Sequence, residues 1–340
     1  MNLDGYALPV KKLKGTDPVE TLDLSGKDLG VASVVVIASL ISVNGGLTVI
    51  DLLYNKLDAE AAKMLAEVAK QKGVSLCGIQ RDQTTADFRN KGLKLPDAIL
   101  LASDLSQAVV TGALTSVDLR ANKLRDEGWG AIFAAICGNK DSKIMCLDAS
   151  SETIGPAGVK LIAEALRTSV TGALTKIDVS WNFFGPEGAK VFADALRVNG
   201  ALTHLSLVGN ETLGDEGVEA LSVAIEQSKS LRTLDLSSDS ECRPCSKRVS
   251  TMFGPKGATA LAKALTINSS LTQIEYAGSM NAALWAPSYN VCFLVFVPAG
   301  CRATTLESRV PRRSRTPCTS TARSGRYVSL SAHTRLTPLS

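Results

Sequence analysis

Residues 174–196 read LTKIDVSWNFFGPEGAKVFADAL. Ile177 and Val179 are separated by the polar Asp178, the alternation of a short strand with one buried face. Asn182 closes that half. After Gly185-Pro186-Glu187-Gly188 the pattern changes. Ala189, Phe192, Ala193 and Leu196 stand at i, i+3, i+4 and i+7, the apolar stripe of an amphipathic helix. Pro186 suits the first helical position, where its missing N–H is not needed. The stretch therefore predicts strand, turn and helix, and neither element can bury its apolar side alone.

The same frame recurs on both sides of this stretch. Segments opening at Val19, Leu47, Leu114, Ile144, Leu174, Leu202, Leu231 and Leu271 share L-x-x-L-D-L-x-x-N, and the starts from Leu114 to Leu231 fall 30, 30, 28 and 29 residues apart. Asparagine recurs at Asn55, Asn122, Asn182 and Asn210. Its amide both donates and accepts, so stacked asparagines can hold successive turns in register. The helical stripe recurs as Val159, Ile162, Ala163, Leu166, as Val218, Leu221, Ser222, Ile225 and as Ala258, Leu261, Ala262, Leu265. Trp129, Ile132, Phe133 and Ile136 form a bulkier version. Self-similarity at this period decides the fold: each unit buries its apolar face only by stacking on the next. Helices about 10 Å wide beside strands roughly 4.8 Å apart make such a stack curve, with strands on the concave side.

The motif L-x-x-L-D-L-x-x-N-x-[LF]-G-x-E-G-x-x-x-[LF]-A-x-A-L resembles the ribonuclease-inhibitor-like subclass of leucine-rich repeats. It is also similar to the repeats of Ran GTPase-activating proteins and of nucleotide-binding immune receptors. The resemblance implies an α/β leucine-rich-repeat solenoid, a curved horseshoe with parallel strands on the concave face and helices on the convex face. We expect residues 1–18 to form an N-terminal capping segment and residues 19–279 a repeat domain of about nine units, with inserts near 80–97 and 238–252. Residues 280–340 are expected to hold an incomplete last repeat and a disordered Arg/Ser/Thr-rich tail. The third unit has two candidate strands, VSLCGI at 74–79 and TADF at 85–88, and both can be extended.

The chain has 340 residues, with 45% apolar residues, enough for a packed core. Its formal charge of +4 conceals two opposite regions. Residues 1–301 carry 29 Lys+Arg against 32 Asp+Glu, while residues 302–340 carry eight Arg and one Glu. Nucleic-acid binding is therefore not expected of the repeats and would rest on the basic tail. The N-terminus has no basic segment followed by an apolar core, and the longest early apolar run falls short of the about 20 residues a membrane helix needs. The chain reads as soluble and intracellular, cytoplasmic or nuclear, and its eight cysteines as reduced.

No reaction is implied by the motifs. Cys242-x-x-Cys245 resembles half a zinc site or a redox pair, but no second pair or histidine lies at suitable spacing and there is no thioredoxin-like βαβ context, so an inert loop is the expectation. There is no phosphate-cradling G-x-x-x-x-G-K-[ST]. We expect no metal, no cofactor and no small-molecule substrate. Cys77 and Cys137 read as core packing, and Cys146 as a concave-face residue. Strand side chains alternate, so positions three, five and seven of the frame point to the concave face. Position five holds Asp23, Asp51, Asp118, Asp148, Asp178, Ser206, Asp235 and Glu275, an acidic column, with Asp87 a further candidate. Like charges about 4.8 Å apart in water repel by roughly 0.9 kcal/mol before screening, which a fold tolerates. Arg120, Lys176 and His204 lie beside the column, and Trp181 and Tyr54 at the strand ends. The expected function is protein recognition by Asp51, Asp118, Arg120, Asp148, Lys176, Asp178, Trp181, His204 and Asp235. By resemblance, a Ran-type GTPase activator or a fragment related to immune-receptor sensor arms are the alternatives. Against the first, such activators often end in an acidic segment, whereas this tail is basic.

Overall fold

The computed structural model describes residues 2–169, 172–237 and 253–275, together with Trp285–Ala286 and Val291–Cys292. It opens with a hairpin of β1 (Asn2–Leu3) and β2 (Tyr6–Ala7) and a short helix α1 (Val10–Lys14). Strands and helices then alternate: β3 (Thr21–Asp23), α2 (Val31–Val43), β4 (Val49–Asp51), α3 (Ala59–Lys72), β5 (Thr85–Asp87), α4 (Leu95–Leu105) with the one-turn α5 (Ala108–Thr111), and β6 (Ser116–Asp118). The series continues with α6 (Arg125–Gly138), β7 (Cys146–Asp148), α7 (Pro156–Arg167), β8 (Lys176–Asp178), α8 (Gly185–Val198), β9 (His204–Ser206), α9 (Gly214–Gln227), β10 (Thr233–Asp235), α10 (Pro255–Ile267) and β11 (Gln273–Glu275).

Strands β5 to β11 form one parallel sheet in chain order, and β3 and β4 a separate parallel pair. The register is in phase with the repeat: Val117, Leu147, Ile177, Leu205 and Leu234 lie side by side, all buried. The helices pack behind this row, each against the next. The bulkiest fillers pair within the helical layer, Trp129 with Phe133 at 6.1 Å and Phe184 edge-on to Phe192 at 5.5 Å between ring centroids. The expected α/β leucine-rich-repeat solenoid is the fold observed.

Two local devices tie unit to unit. The first is the asparagine. Asn182 Oδ1 accepts from the backbone N–H of Glu152 and Ile154 in the preceding unit, at 3.2 and 2.9 Å. Its Nδ2 donates to the carbonyls of Ala149 and Val179 at 3.0 Å. Asn55 and Asn122 do the same in their own units, on Lys27 and Leu29 and on Lys91 and Leu93. Backbone groups in a turn that strand and helix leave unpaired are thereby satisfied without water. The second device is a carboxylate that reaches forward to cap the next helix. Asp126 Oδ1 accepts from Gly155 N at 3.0 Å, and Asp215 Oδ1 from Gly254 N and Gly257 N at 2.6 and 2.9 Å. Asp4 does this for α2 through Gly30 and Ser33. The second glycine of Gly155-Pro156-Ala157-Gly158 follows from this contact, because a Cβ on Gly158 would run into Asp126 Oδ1.

The two candidates for the third strand take different roles. Residues 85–87 are β5, the first strand of the long sheet. Residues 75–77 bridge to β4 instead, through Val49 with Ser75 and Asp51 with Cys77. Their outward N–H groups do not meet a further strand. Asp104, fully buried in α4, accepts from Leu76 N at 2.8 Å, Cys77 N at 3.0 Å and Ser75 Oγ at 2.7 Å. A side-chain carboxylate thus stands where the carbonyls of the next strand would be, and the ladder stops. Burial pushes the Asp104 carboxyl up to about 7, against the pull of these donors. No helix among the described residues is long and apolar enough to cross a membrane.

Candidate functional site

The position-five side chains of β6 to β10 form a row in register: Asp118, Asp148, Asp178, Ser206 and Asp235. All five are half-buried. On β6, β7, β8 and β10 the carboxylate accepts from the backbone N–H two residues on. Asp148 Oδ1 takes Ser150 N and Oγ at 3.0 and 2.7 Å, Asp178 Oδ1 takes Ser180 N at 2.9 Å, and Asp235 Oδ1 takes Ser237 N at 2.9 Å. These bonds fix one carboxylate oxygen of each.

Cations answer the row unevenly. Arg120 spans two strands, with Nη2 3.2 Å from Asp118 Oδ2 and Nη1 3.6 Å from Asp148 Oδ2. Arg89 pairs with Asp87 at 3.1 Å. Lys176 and His204, paired across β8 and β9, are exposed and make no ion pair among the described residues. His204 Nδ1 lies 2.7 Å from Thr203 Oγ1. Asp178 likewise makes no ion pair among the described residues. Burial raises its carboxyl, the Ser180 hydrogen bonds oppose this, and Asp148 and Asp235 push it further up. Asp118 is raised by burial too, despite the Arg120 backbone N–H, with Asp148 adding to the shift.

Not every expected site residue joins this row. Asp51 belongs to the separate β3–β4 pair, where Val49 and Leu53 on either side of it are buried. Gly78 lies against it, a Cβ there falling 3.2 Å from Asp51 Oδ2. Its carboxyl is raised by burial first, the Leu53 N–H opposing, with Asp23 and Asp97 adding to the rise. Trp181 is 39% exposed, and its indole lies on the backbone of Gly209 at the same position of the next unit. A Cβ on Gly209 would be 2.6 Å from Trp181 Cε3, so this ring packs against the next turn while one side meets solvent. Cys77 and Cys137 are buried, and burial raises both thiols, Cys137 to about 11. Cys146 is half-buried on β7. Cys242 and Cys245 lie outside the described residues, as does the tail read as disordered. Among the described residues no group of three or more His, Cys, Asp or Glu could hold a metal ion.

Two fully buried carboxylates, Asp104 and Glu152, carried no expectation from the repeat frame. Glu152 stands where the frame has asparagine, a substitution visible in the sequence. It accepts from the backbone N–H of Asn122 and Leu124 and from Trp129 Nε1 at 3.1 Å, and burial pushes it up to about 6. Asp104 carried no pattern that could have marked it.

The family profile described as Leucine Rich repeat matches residues 174–193 and 201–222. The solenoid is thus built of leucine-rich repeats. No curated protein matches the sequence. Among solved structures, the chain is similar to a tropomodulin C-terminal domain of Caenorhabditis elegans at 15% identity and TM-score 0.33, covering 61% of this chain and 91% of that one. It is similar to actin-binding site 2 of leiomodin-1 at 14% identity and TM-score 0.32, covering 53% and 79%. The third is TLR13 in complex with ssRNA13, at 14% identity and TM-score 0.35, covering 79% of this chain and 34% of that one.

Proposed function

We propose that this leucine-rich-repeat solenoid, of the ribonuclease-inhibitor-like subclass, is a scaffold that binds a protein partner on its concave face. Asp118, Arg120, Asp148, Lys176, Asp178, His204 and Asp235 line that face, with Trp181 at its edge and Asp51 on the adjoining β3–β4 pair. The partner presents basic side chains to the β7–β10 stretch. The observation that carries this reading is Asp178. Its carboxylate lies half-buried between Asp148 and Ser206, with Asp235 one strand further on, and has no ion pair among the described residues, while Arg120 serves Asp118 and Asp148. A partner arginine or lysine there gains the attraction of several carboxylates, and charge complementarity of this kind sets specificity and association rate. Strand side chains fixed by backbone turns also lose little freedom on binding.

The test is affinity purification from the source cells, identification of the bound proteins, and titration of each with D148K/D178K. Charge reversal is expected to weaken the specific partner by at least about tenfold, roughly 1.4 kcal/mol. Reversal of Glu164 on α7, on the opposite layer, is expected to leave binding unchanged. Equal affinity of wild type and D148K/D178K for every captured protein would sink the concave-face assignment.

A further inference from the structure

Helix α2 reads VASVVVIASLISV, and among the described helices of more than one turn it alone has no Asp, Glu, Lys or Arg. One side of it is core, with Val34, Ile37, Ala38 and Ile41 buried. The other side is as apolar and meets solvent. Val31, Val35 and Val43 are 46%, 49% and 65% exposed, and Ala32 is exposed beside them. Ser39 and Ser42 are the polar residues on this side, and Ser42 Oγ donates back to the helix at Ser39 O, 2.7 Å away. In later units the same outer side is charged, through Lys160, Glu164 and Arg167 on α7 and Lys190, Asp194 and Arg197 on α8, all exposed. A helix that is apolar all round is ordinarily covered on both sides.

The charges beside α2 identify what covers it. α2 packs between α1 and α3, and the three helices together carry Lys11, Lys12, Lys14, Lys63, Lys70 and Lys72 against two acids, Glu60 and Glu67. Lys63 pairs with Glu60 at 2.8 Å, and the other five lysines make no ion pair among the described residues. Helices α7 to α9 have the opposite balance, four Lys+Arg against seven Asp+Glu. An apolar strip edged by lysines matches the boundary of an anionic bilayer: the valines enter the acyl layer, and the lysine stems lie along it with their ammonium groups on the headgroups. With 13 residues α2 is too short to span, since a crossing takes about 20. A second copy of this chain fits worse. In a two-fold pair of α2 faces, α1 meets either α1 or α3 of the other copy, and both are net basic. Valine, serine and lysine are also poor anchors for a protein, whose binding energy concentrates in Trp, Tyr and Arg. We propose that the α1–α3 end of the helical layer docks on an anionic phospholipid membrane, with α2 lying in the plane of the interface. The strand face on the opposite layer stays open, so this inference does not depend on the concave-face reading and either can fail alone.

The test uses the full chain and vesicles of phosphatidylcholine alone or of equal parts phosphatidylcholine and phosphatidylserine. Because residues 302–340 carry eight Arg and can themselves attract an anionic surface, the readout is placed on α2. With p-benzoylphenylalanine in place of Val35, irradiation on the mixed vesicles is expected to cross-link the protein to lipid acyl chains. The same group in place of Val198, 66% exposed on α8, is expected to give none. In co-sedimentation, V35E/V43E and K11E/K14E are each expected to partition into the mixed vesicles at least about tenfold more weakly than wild type, and wild type to bind phosphatidylcholine alone more weakly by a similar factor. Cross-links from position 35 to a second copy in place of lipid, or equal cross-linking at 35 and 198, would overturn the proposal. So would equal partitioning of wild type and V35E/V43E, which would assign vesicle binding to the tail. If V35E/V43E does not fold, the cross-linking of the full chain decides.

Discussion

Glu152 occupies the place that Asn55, Asn122, Asn182 and Asn210 hold in other units, and it keeps half of their bonding. Like Asn55, Asn122 and Asn182 it accepts from two N–H groups of the unit before, here Asn122 and Leu124. It has no N–H to give back, and none is needed: Asn122 already donates to Leu119 O and Asn182 to Ala149 O. Its remaining acceptor capacity goes to the Trp129 indole, which is itself fully buried. The cost is a carboxylate out of water, raised from 4.5 to about 6. A raised acid holds its proton more tightly folded than unfolded, so its stabilising contribution is full below pH 4.5 and is lost as the pH rises through about 6. Over that window wild type should lose about 2 kcal/mol relative to Glu152→Gln, whose amide does not titrate. Urea unfolding of both proteins from pH 4 to 7 measures the difference directly. Parallel curves at every pH would mean that Glu152 titrates alike in both states.

At the scale of the element, the third unit shows where local pattern stops being informative. The units from Leu114 to Leu231 are legible because strand alternation, Asn position and helical stripe all sit within one unit and agree. In the third unit residues 74–79 and 85–88 both satisfy the strand pattern, and both are extended. What separates them is Asp104, some 28 residues downstream of the strand it terminates. No periodicity carries that information, since the carboxylate acts through three-dimensional proximity. Asp104→Asn retains the shape and leaves one acceptor oxygen for three donor groups. Measured at pH 8, above the Asp104 carboxyl, the variant should lose about 1–3 kcal/mol of protection at the Leu76 and Cys77 amides. Amides of β7 to β10 should be unaffected. Equal protection at Leu76 and Cys77 in the two proteins would show that the carboxylate is not what holds this edge.

Across the whole molecule, the candidate face was legible as a column of position-five residues, because alternation and repeat phase suffice to align Asp118, Asp148, Asp178 and Asp235. The pairings that give the column its electrical character were not. Arg120 bridging two strands, Asp51 falling on a different sheet, and Trp181 lying on Gly209 all depend on neighbours in adjacent units. That dependence on neighbours also governs stability. Each unit touches the units beside it, so a loss should spread along the stack and fade with distance. The ladder break before β5 gives this a boundary. Ile177 is 1% exposed at the centre of the long sheet, between Leu147 and Leu205. Ile177→Ala should cost about 2–5 kcal/mol through lost burial and the cavity left behind. The loss of hydrogen-exchange protection should be greatest in β7 to β9 and helices α7 and α8. It should diminish toward β6 and β10, and leave α2, β4 and α3 beyond the break at wild-type protection. A uniform loss from α2 to α10 would instead require the solenoid to unfold as a single cooperative body, with the Asp104 junction transmitting strain as fully as a hydrogen-bonded pair of strands.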